Sequence, residues 1–247
     1  MKIILSPTKK MKQDPDSLLP AGQPAFLQKS RQILAYLQSL SPAELQALWG
    51  CNEKIAAQNV QRLSEIDFET RLSPAILSYE GIAFQYMAPA VFTEQALAYV
   101  QDHLRILSGF YGVLKPLDGI QPYRLEMQAR APVAGSADLY DFWGRDLYDG
   151  VGGGVILNLA SKEYSQCISR YLTPEDRLIT CVFGEMVGGK LKQKGTFAKM
   201  ARGEMVRYLA ENQASAPESA QGFCRLGFHF RADLSTDTEY IFERIPE

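Results

Sequence analysis

The sequence predicts a single α/β domain over residues 1–247, with a mixed sheet and helices around it. Its 247 residues are 46% hydrophobic and 22% charged, an ordinary globular composition for a chain that can bury a large core. Short apolar runs typical of buried strands lie between longer segments with helical spacing, and no linker, repeat or low-complexity stretch separates them. Because strands and helices do not alternate strictly, the sequence leaves open whether the sheet is doubly wound.

The N-terminal segment predicts a strand, a loop and a helix. Residues 2–5 form an apolar run that ends at Ser6-Pro7, which is typical of a buried strand. Proline and glycine punctuate residues 14–24 and predict a surface loop. Apolar residues at helical spacing predict a helix over 25–40.

Three further helices are expected before the middle of the chain. Ser41 followed by Pro-Ala-Glu predicts a helix start, because serine caps free backbone N–H groups, proline suits the first helical position and glutamate the third. This helix ends near Gly50, and a helical pattern resumes over 53–63. The last of the three begins after Thr93 and is expected to continue through Leu107.

The second half of the chain mixes element types. Prolines and glycines oppose regular structure in 110–127, and a loop of this length is more often functional than accidental. A helical turn is expected over 139–147, and a strand over 155–159 leads into a helix capped by Ser161. The remaining predicted elements are a strand over 177–187 with a hairpin at Gly188-Gly189, a helix over 196–212, and paired strands over 223–231 and 239–245.

Composition and patterning exclude several classes of protein. The chain has 26 Lys and Arg against 28 Asp and Glu, a net charge of −2, so any nucleic-acid contact must come from a local patch. The apolar runs are too short for a membrane span or a signal peptide, and four scattered cysteines predict reduced thiols in a cytoplasm. Two histidines give no metal site, and neither a Rossmann fingerprint nor a P-loop is present. We expect no metal, no cofactor and no membrane partner.

The turn between the second and third predicted helices is a candidate DNA-backbone contact. Gly50 gives a permissive backbone and Lys54 a positive charge. Asn52 stands where a helix-hairpin-helix usually has a second glycine, and asparagine tolerates left-handed geometry better than most residues. Such a turn can share one phosphate between backbone amides and a cation. The alternative is an ordinary packing corner in which Lys54 is solvated.

A second candidate is a basic strip near the C-terminus. Only Glu204 opposes its cations, and the spacing places Lys192 and Lys194 on one side of a strand and Lys199 and Arg202 on one face of a helix. The alternative is a solvated surface with scattered charge. The cations of the strip are Lys190, Lys192, Lys194, Lys199, Arg202 and Arg207.

Polar residues at the ends of predicted elements suggest a ligand pocket. The planar donor fork of Arg124 suits a phosphate or carboxylate, and Glu126 could orient it or act as an acid or base. Asn158, Ser161 and Tyr164 surround a strand end and a helix N-terminus, where an anion can bind. The structural alternative for Arg124 and Glu126 is a buried ion pair. For Asn158, Ser161 and Tyr164 it is a capped helix. The aromatic residues in 139–144 are interpreted as core.

Six segments of the sequence carry a resemblance to a known family: 4–9, 104–118, 121–127, 138–144, 158–164 and 198–212. In these segments the sequence resembles the YaaA family of bacterial peroxide-stress proteins. The resemblance implies a domain of unusual topology, a positively charged cleft, a helix-hairpin-helix element, double-stranded DNA binding and a role in limiting oxidative damage, including lower free iron. It assigns the hairpin to Gly50, Asn52 and Lys54, and it assigns the cleft to Lys9, Lys199, Arg202 and Arg207.

The predicted function is sequence-nonspecific binding of double-stranded DNA in the cytoplasm, protecting against hydroperoxide stress, with DNA repair proteins as possible partners. An enzyme is the competing class. It would act on a nucleotide, a damaged base or a small anion in a pocket around Arg124, Glu126 and Asn158. A third class is an interaction protein that uses the aromatic patches.

Overall fold

An eight-stranded mixed sheet organises residues 1–14 and 16–245, which are the residues that the computed structural model describes. A separate two-stranded ribbon lies beside it. The strands are β1 (Lys2–Leu5), β2 (Ser73–Pro74), β3 (Leu104–Ser108), β4 (Gly112–Leu114), β5 (Gly119–Ile120), β6 (Val155–Asn158), β7 (Arg177–Val187), β8 (Lys190–Lys192), β9 (Phe228–Phe230) and β10 (Glu239–Arg244). The helices are α1 (Leu27–Gln38), α2 (Pro42–Trp49), α3 (Glu53–Glu65), α4 (Ala75–Ser78), α5 (Ile82–Met87), α6 (Glu94–His103), α7 (Leu139–Trp143), α8 (Asp146–Val151), α9 (Lys162–Ser169) and α10 (Gly195–Glu211).

Five parallel strands form the centre of the sheet in the spatial order β3-β1-β6-β7-β10. Numbered along the chain, this order is 2-1-3-4-5, one of the two common orders of doubly wound sheets. Antiparallel β4 and β9 lie at the two edges, and β8 pairs with β7. The mixed α/β class is therefore confirmed, and the arrangement of the parallel strands, which the sequence left open, is a doubly wound order.

Strand β1 lies in the middle of the core. Ile3 pairs with Leu104 of β3 on one side and with Leu157 of β6 on the other, and all three side chains are fully buried. A strand covered on both faces consists of a continuous run of apolar residues, and for this reason β1 and β6 can be recognised from the sequence. The chain leaves β1 for β3 on one side and later returns to β6 on the other. The carboxyl ends of β1 and β6 therefore form the switch point at which open α/β sheets bind ligands.

One predicted helix is too long. Helix α6 ends at His103, and Leu104–Ser108 forms strand β3. All five residues of β3 are buried, so the run that matches helical spacing is in fact a strand covered on both faces. Residues 110–127 also contain two short strands, β4 and β5, where an irregular loop was predicted.

Other local predictions are confirmed. Ser41 accepts a hydrogen bond from the Glu44 amide and Glu44 accepts one from the Ser41 amide, so the capping box is complete. Gly188 and Gly189 have φ values of 60° and 75°, the left-handed values that a tight hairpin between β7 and β8 requires. The last two predicted strands pair in antiparallel fashion as β9 and β10, although β9 covers only Phe228–Phe230 of the predicted range 223–231.

Helix α10 packs very closely on α5. A Cβ atom added to Gly203 would lie 1.9 Å from the Ala83 carbonyl oxygen, so glycine is what permits this approach. The close approach brings Arg202, the neighbouring residue on α10, to the switch point. None of the helices in residues 1–14 and 16–245 combines the length and hydrophobicity that a membrane crossing requires.

Candidate functional site

A pocket of about 500 Å³ opens at the carboxyl ends of β1 and β6. Five separate chain segments form its walls: the segments that follow β1, β5 and β6, the start of α5, and the first half of α10. This is the switch point of the sheet, where the strand ends diverge and leave a crevice. We call this cavity the central pocket.

Hydrogen bonds between two serines join the strand ends beneath the central pocket. The Ser161 amide donates to Ser6 Oγ at 2.8 Å, and Ser6 Oγ lies 3.2 Å from Ser161 Oγ. Ser161 occupies the N-cap position of α9, as predicted, but its side chain makes no capping hydrogen bond. The hydroxyl is instead used to fix the two loops to each other.

Buried tyrosines form the back wall. Tyr123 Oη lies 2.8 Å from Tyr79 Oη and 2.7 Å from Ser108 Oγ, and Ser108 Oγ in turn accepts from the Tyr111 amide at 2.8 Å. Burial raises the pKa of Tyr123 to about 12 and raises that of Tyr164 well above its usual range, so both phenols stay protonated. The hydroxyl chain fixes the irregular segment that carries Arg124 and Glu126.

Two ion pairs stand at the mouth of the pocket. Lys9 Nζ lies 2.7 Å from Glu126 Oε2, and Lys10 Nζ lies 3.2 Å from Glu80 Oε2. Both lysines are largely exposed, with 60% and 75% of their side-chain surface accessible, so these pairs contribute little to stability. They neutralise the two carboxylates at the mouth.

Two arginines inside the pocket have unsatisfied donors. The Nε atoms of Arg124 and Arg202 are both buried and have no hydrogen-bond partner in the structure. Arg124 makes only a long contact from Nη2 to the Trp49 carbonyl oxygen, at 3.4 Å, and a 3.8 Å ion pair with Glu126. Burial lowers the pKa of Arg202, which reports the cost of holding this cation away from water.

Glu163 is a half-buried carboxyl group of the pocket. Burial raises its pKa, and the negative charge of Glu126 adds to the rise, although the Gln128 amide donates to its Oε1 at 3.3 Å. Glu163 is therefore easier to protonate than a carboxyl group in water. Sequence analysis did not identify Glu163; its position in the first turn of the helix after β6 was the available signal.

The structure brings together residues that the sequence assigned to two different sites. Lys9, Lys199 and Arg202, predicted for the DNA-binding cleft, line the same pocket as four of the five residues predicted for the ligand pocket. Those four residues are Arg124, Glu126, Ser161 and Tyr164. The pocket also includes Ser6 and Tyr123, which sequence analysis missed.

Asn158 and Arg207 lie outside the lining of the pocket. The Asn158 side chain accepts from the Ala160 amide at 2.9 Å and donates to Thr180 Oγ1 at 3.2 Å, so it holds the turn after β6. Arg207 forms an ion pair with Glu211 one turn along α10, at 2.7 Å. Lys194 is likewise paired, with Glu185, and precedes α10 rather than lying in a strand with Lys192.

The turn between α2 and α3 differs in part from the predicted hairpin. Gly50 is left-handed, with φ 53°, and it lies beside Lys9 and Glu126 at the outer edge of the central pocket. Asn52 is extended, with φ −75°, and its side chain accepts from the Ile55 amide at 2.9 Å. The expected left-handed geometry at Asn52 is therefore wrong, because this residue caps α3. Lys54 is exposed, and its role as a phosphate contact stays a prediction.

No group of three or more His, Cys, Asp or Glu side chains in residues 1–14 and 16–245 is arranged to hold a metal ion. The four cysteines are all free thiols. The chemistry that the described site offers is anion binding by guanidinium groups, beside a carboxyl group, Glu163, whose pKa is raised by burial.

Comparison with known proteins places this chain in a family. Residues 1–234 match the family described as peroxide stress protein YaaA. A UPF0246 protein of Agathobacter rectalis is 56% identical over 99% of both chains, and one of Limosilactobacillus reuteri is 52% identical over 99% of this chain and 100% of its own. A third, from Lachnoclostridium phytofermentans, is 51% identical over 98% of this chain and 96% of its own. The resemblance seen in the sequence is confirmed, and the chain belongs to the family of the peroxide stress protein YaaA.

Proposed function

We propose that this protein binds double-stranded DNA through backbone phosphates, without sequence specificity, and that this binding contributes to protection against peroxide stress. Membership of a peroxide-stress family supports the stress role. The distribution of unpaired cations supports the choice of ligand. DNA repair proteins are the partners that such a role would favour.

The observation that carries the proposal is an exposed row of lysines without carboxylate partners. Lys190 and Lys192 on β8 and Lys199 on α10 are exposed and form no ion pair among the described residues. We call these three residues the cationic face. A lysine free of a carboxylate can neutralise a phosphate and release its counterion, whereas a lysine already paired has less to gain.

The position of the cationic face fits a ligand that lies along the surface. Only Gln193 and Lys194 separate β8 from α10, so the lysines of the strand stay close to the start of the helix. Lys199 also lines the mouth of the central pocket. A phosphate backbone on these lysines would therefore run across the opening of the pocket. Because the net charge of the protein is −2, such binding depends on this local concentration of cations.

The test is fluorescence anisotropy of a labelled duplex at several salt concentrations. The triple variant Lys190→Ala, Lys192→Ala, Lys199→Ala should bind more weakly. The slope of log K against log salt should become shallower by about 2.7, because each phosphate that the protein neutralises adds roughly 0.9 to it.

A matched control removes three cations that are already paired with carboxylates. These are Lys12, Lys29 and Arg145, which pair with Asp14, Asp146 and Asp149. Both triple variants have the same net charge, so nonspecific charge effects cancel. An equal weakening in the two variants, or the absence of duplex binding by the unaltered protein at low salt, would refute the proposal.

A further inference from the structure

We propose that the central pocket binds a phosphorylated small molecule of mononucleotide size, with its phosphate between the guanidinium groups of Arg124 and Arg202 and its ring against the apolar lining residues. The pocket and the cationic face share Lys199, but the two arginines lie only in the pocket, whose volume admits no duplex. The inference therefore does not depend on DNA binding.

Unsatisfied donors point to an anionic ligand. Buried polar groups are almost always hydrogen-bonded, and a buried charge is costly unless it is paired. Two arginines that line one cavity are exceptions, because each has a buried Nε atom without a hydrogen-bond partner, and the Arg124 side chain is only 10% exposed. The Arg202 side chain makes no hydrogen bond or ion pair with any described residue. A phosphate between the two arginines would supply acceptors to both forks.

The charge balance of the pocket favours an anion with more than one negative charge. Glu126 and Glu80 are already paired with Lys9 and Lys10 at the mouth. Arg124 lies deeper, and its Nη2 atom is 3.8 Å from Glu126 Oε1. Arg202 and Lys199 have no carboxylate partner in the described part of the chain. The remaining carboxyl group, Glu163, is half-buried, and the five cations of the lining exceed its three carboxyl groups. A phosphomonoester dianion fits this excess of positive charge.

Helix α9 adds donors to the pocket. It begins next to the lining residue Ser161, and the Ser161 hydroxyl does not cap it. The amides of Tyr164 and Ser165 donate to the Ser161 carbonyl oxygen, which leaves the amides of Lys162 and Glu163 for an anion. The helix dipole favours negative charge there.

Apolar residues of the same pocket suit a ring. Pro7, Ile82, Leu125 and Leu159 are among its lining residues, together with the buried side chain of Tyr123. A volume of about 500 Å³ falls within the usual range of roughly 300–1,000 Å³ for small-molecule sites. A ligand with a phosphate at one end and a planar body at the other matches both the cationic and the apolar residues of the lining.

The test is isothermal titration calorimetry of the whole protein with five probes. Adenosine monophosphate and cytidine monophosphate should bind. Adenosine, which lacks the phosphate, should bind at least tenfold more weakly, and so should ribose 5-phosphate and inorganic phosphate, which lack the ring. No heat with either nucleotide at millimolar concentration, or equal affinity for adenosine and its monophosphate, would overturn the proposal.

Variants locate the binding site. Arg124→Gln and Arg202→Gln should each weaken binding of the monophosphate by roughly tenfold or more, the usual effect of removing a hydrogen bond to a charged group. Arg207→Gln is the matched control, because Arg207 lies on the same helix but is paired with Glu211. Thermal unfolding of each variant shows whether it is folded. An equal drop in affinity in the control would overturn the assignment of the site.

The two proposals can fail separately. Lys190→Ala with Lys192→Ala should weaken duplex binding and leave the affinity for the monophosphate unchanged, since neither lysine lines the pocket. Arg124→Gln should weaken binding of the monophosphate and leave duplex binding unchanged. Duplex binding without nucleotide binding would refute only the pocket proposal, and nucleotide binding without duplex binding would refute only the DNA proposal.

Discussion

Replacing Gly203 with alanine should push α10 away from α5 and withdraw Arg202 from the central pocket. The added methyl group would lie 1.9 Å from the Ala83 oxygen, 2.7 Å from its carbonyl carbon and 3.0 Å from its Cα. All three are backbone atoms, so no side-chain rotation can relieve the clash. Ordinary contact begins at 3.4 Å, so the helices must separate by about 1.5 Å.

The expected cost follows from the balance of two effects. Overpacking of a tight contact costs roughly 1–3 kcal/mol, whereas alanine gains up to about 1 kcal/mol over glycine inside a helix. A net decrease of about 1–2 kcal/mol in the free energy of unfolding should lower Tm by about 2–8 °C in a chain of this size. Because Arg202 is the adjacent residue, nucleotide binding should weaken as well.

Gly195→Ala is the control, because it makes the same substitution on the same helix. No heavy atom lies within 4 Å of the added Cβ at that position, and the backbone there is not left-handed. Its Tm should be unchanged or slightly raised. Thermal unfolding followed by circular dichroism measures both variants. A Tm for Gly203→Ala equal to that of the unaltered protein would refute the close-packing argument.

Three further predictions concern other parts of the chain. Burial raises the pKa of Asp118 to about 6, so the folded state holds this proton more tightly than the unfolded state. The free energy of unfolding should therefore fall by on the order of 3 kcal/mol as pH rises from about 4 through 6. Urea unfolding of Asp118→Asn should show a flatter pH dependence, and an unchanged profile would contradict this. Asn52→Ala should cost about 1 kcal/mol in urea unfolding, because it removes the cap on the Ile55 amide, and an unaltered midpoint would contradict the capping role. Lys54→Ala should lower the salt slope of duplex binding by about 0.9 without changing Tm, and an unchanged slope would remove the turn between α2 and α3 from the interface.

The sequence by itself determined those features whose signals are local. The capping box at Ser41 and the hairpin at Gly188-Gly189 depend on residues within a few positions of each other, and the structure confirms both. The buried strands β1 and β6 were also predictable, because burial on both faces requires an unbroken apolar run. Family membership followed from motifs spread along the whole chain.

The tertiary structure decided which distant segments meet. Leu104–Ser108 is a strand only because β1 lies beside it, and its local spacing alone indicates a helix. The pocket joins Lys9 to Arg202 across almost the entire chain, and the Gly203 contact that makes this possible leaves no local mark in the sequence. Parallel pairing and helix packing depend on contacts between residues far apart along the chain. The sequence could therefore supply the polar residues of the site, but only the folded chain shows which of them share one cavity.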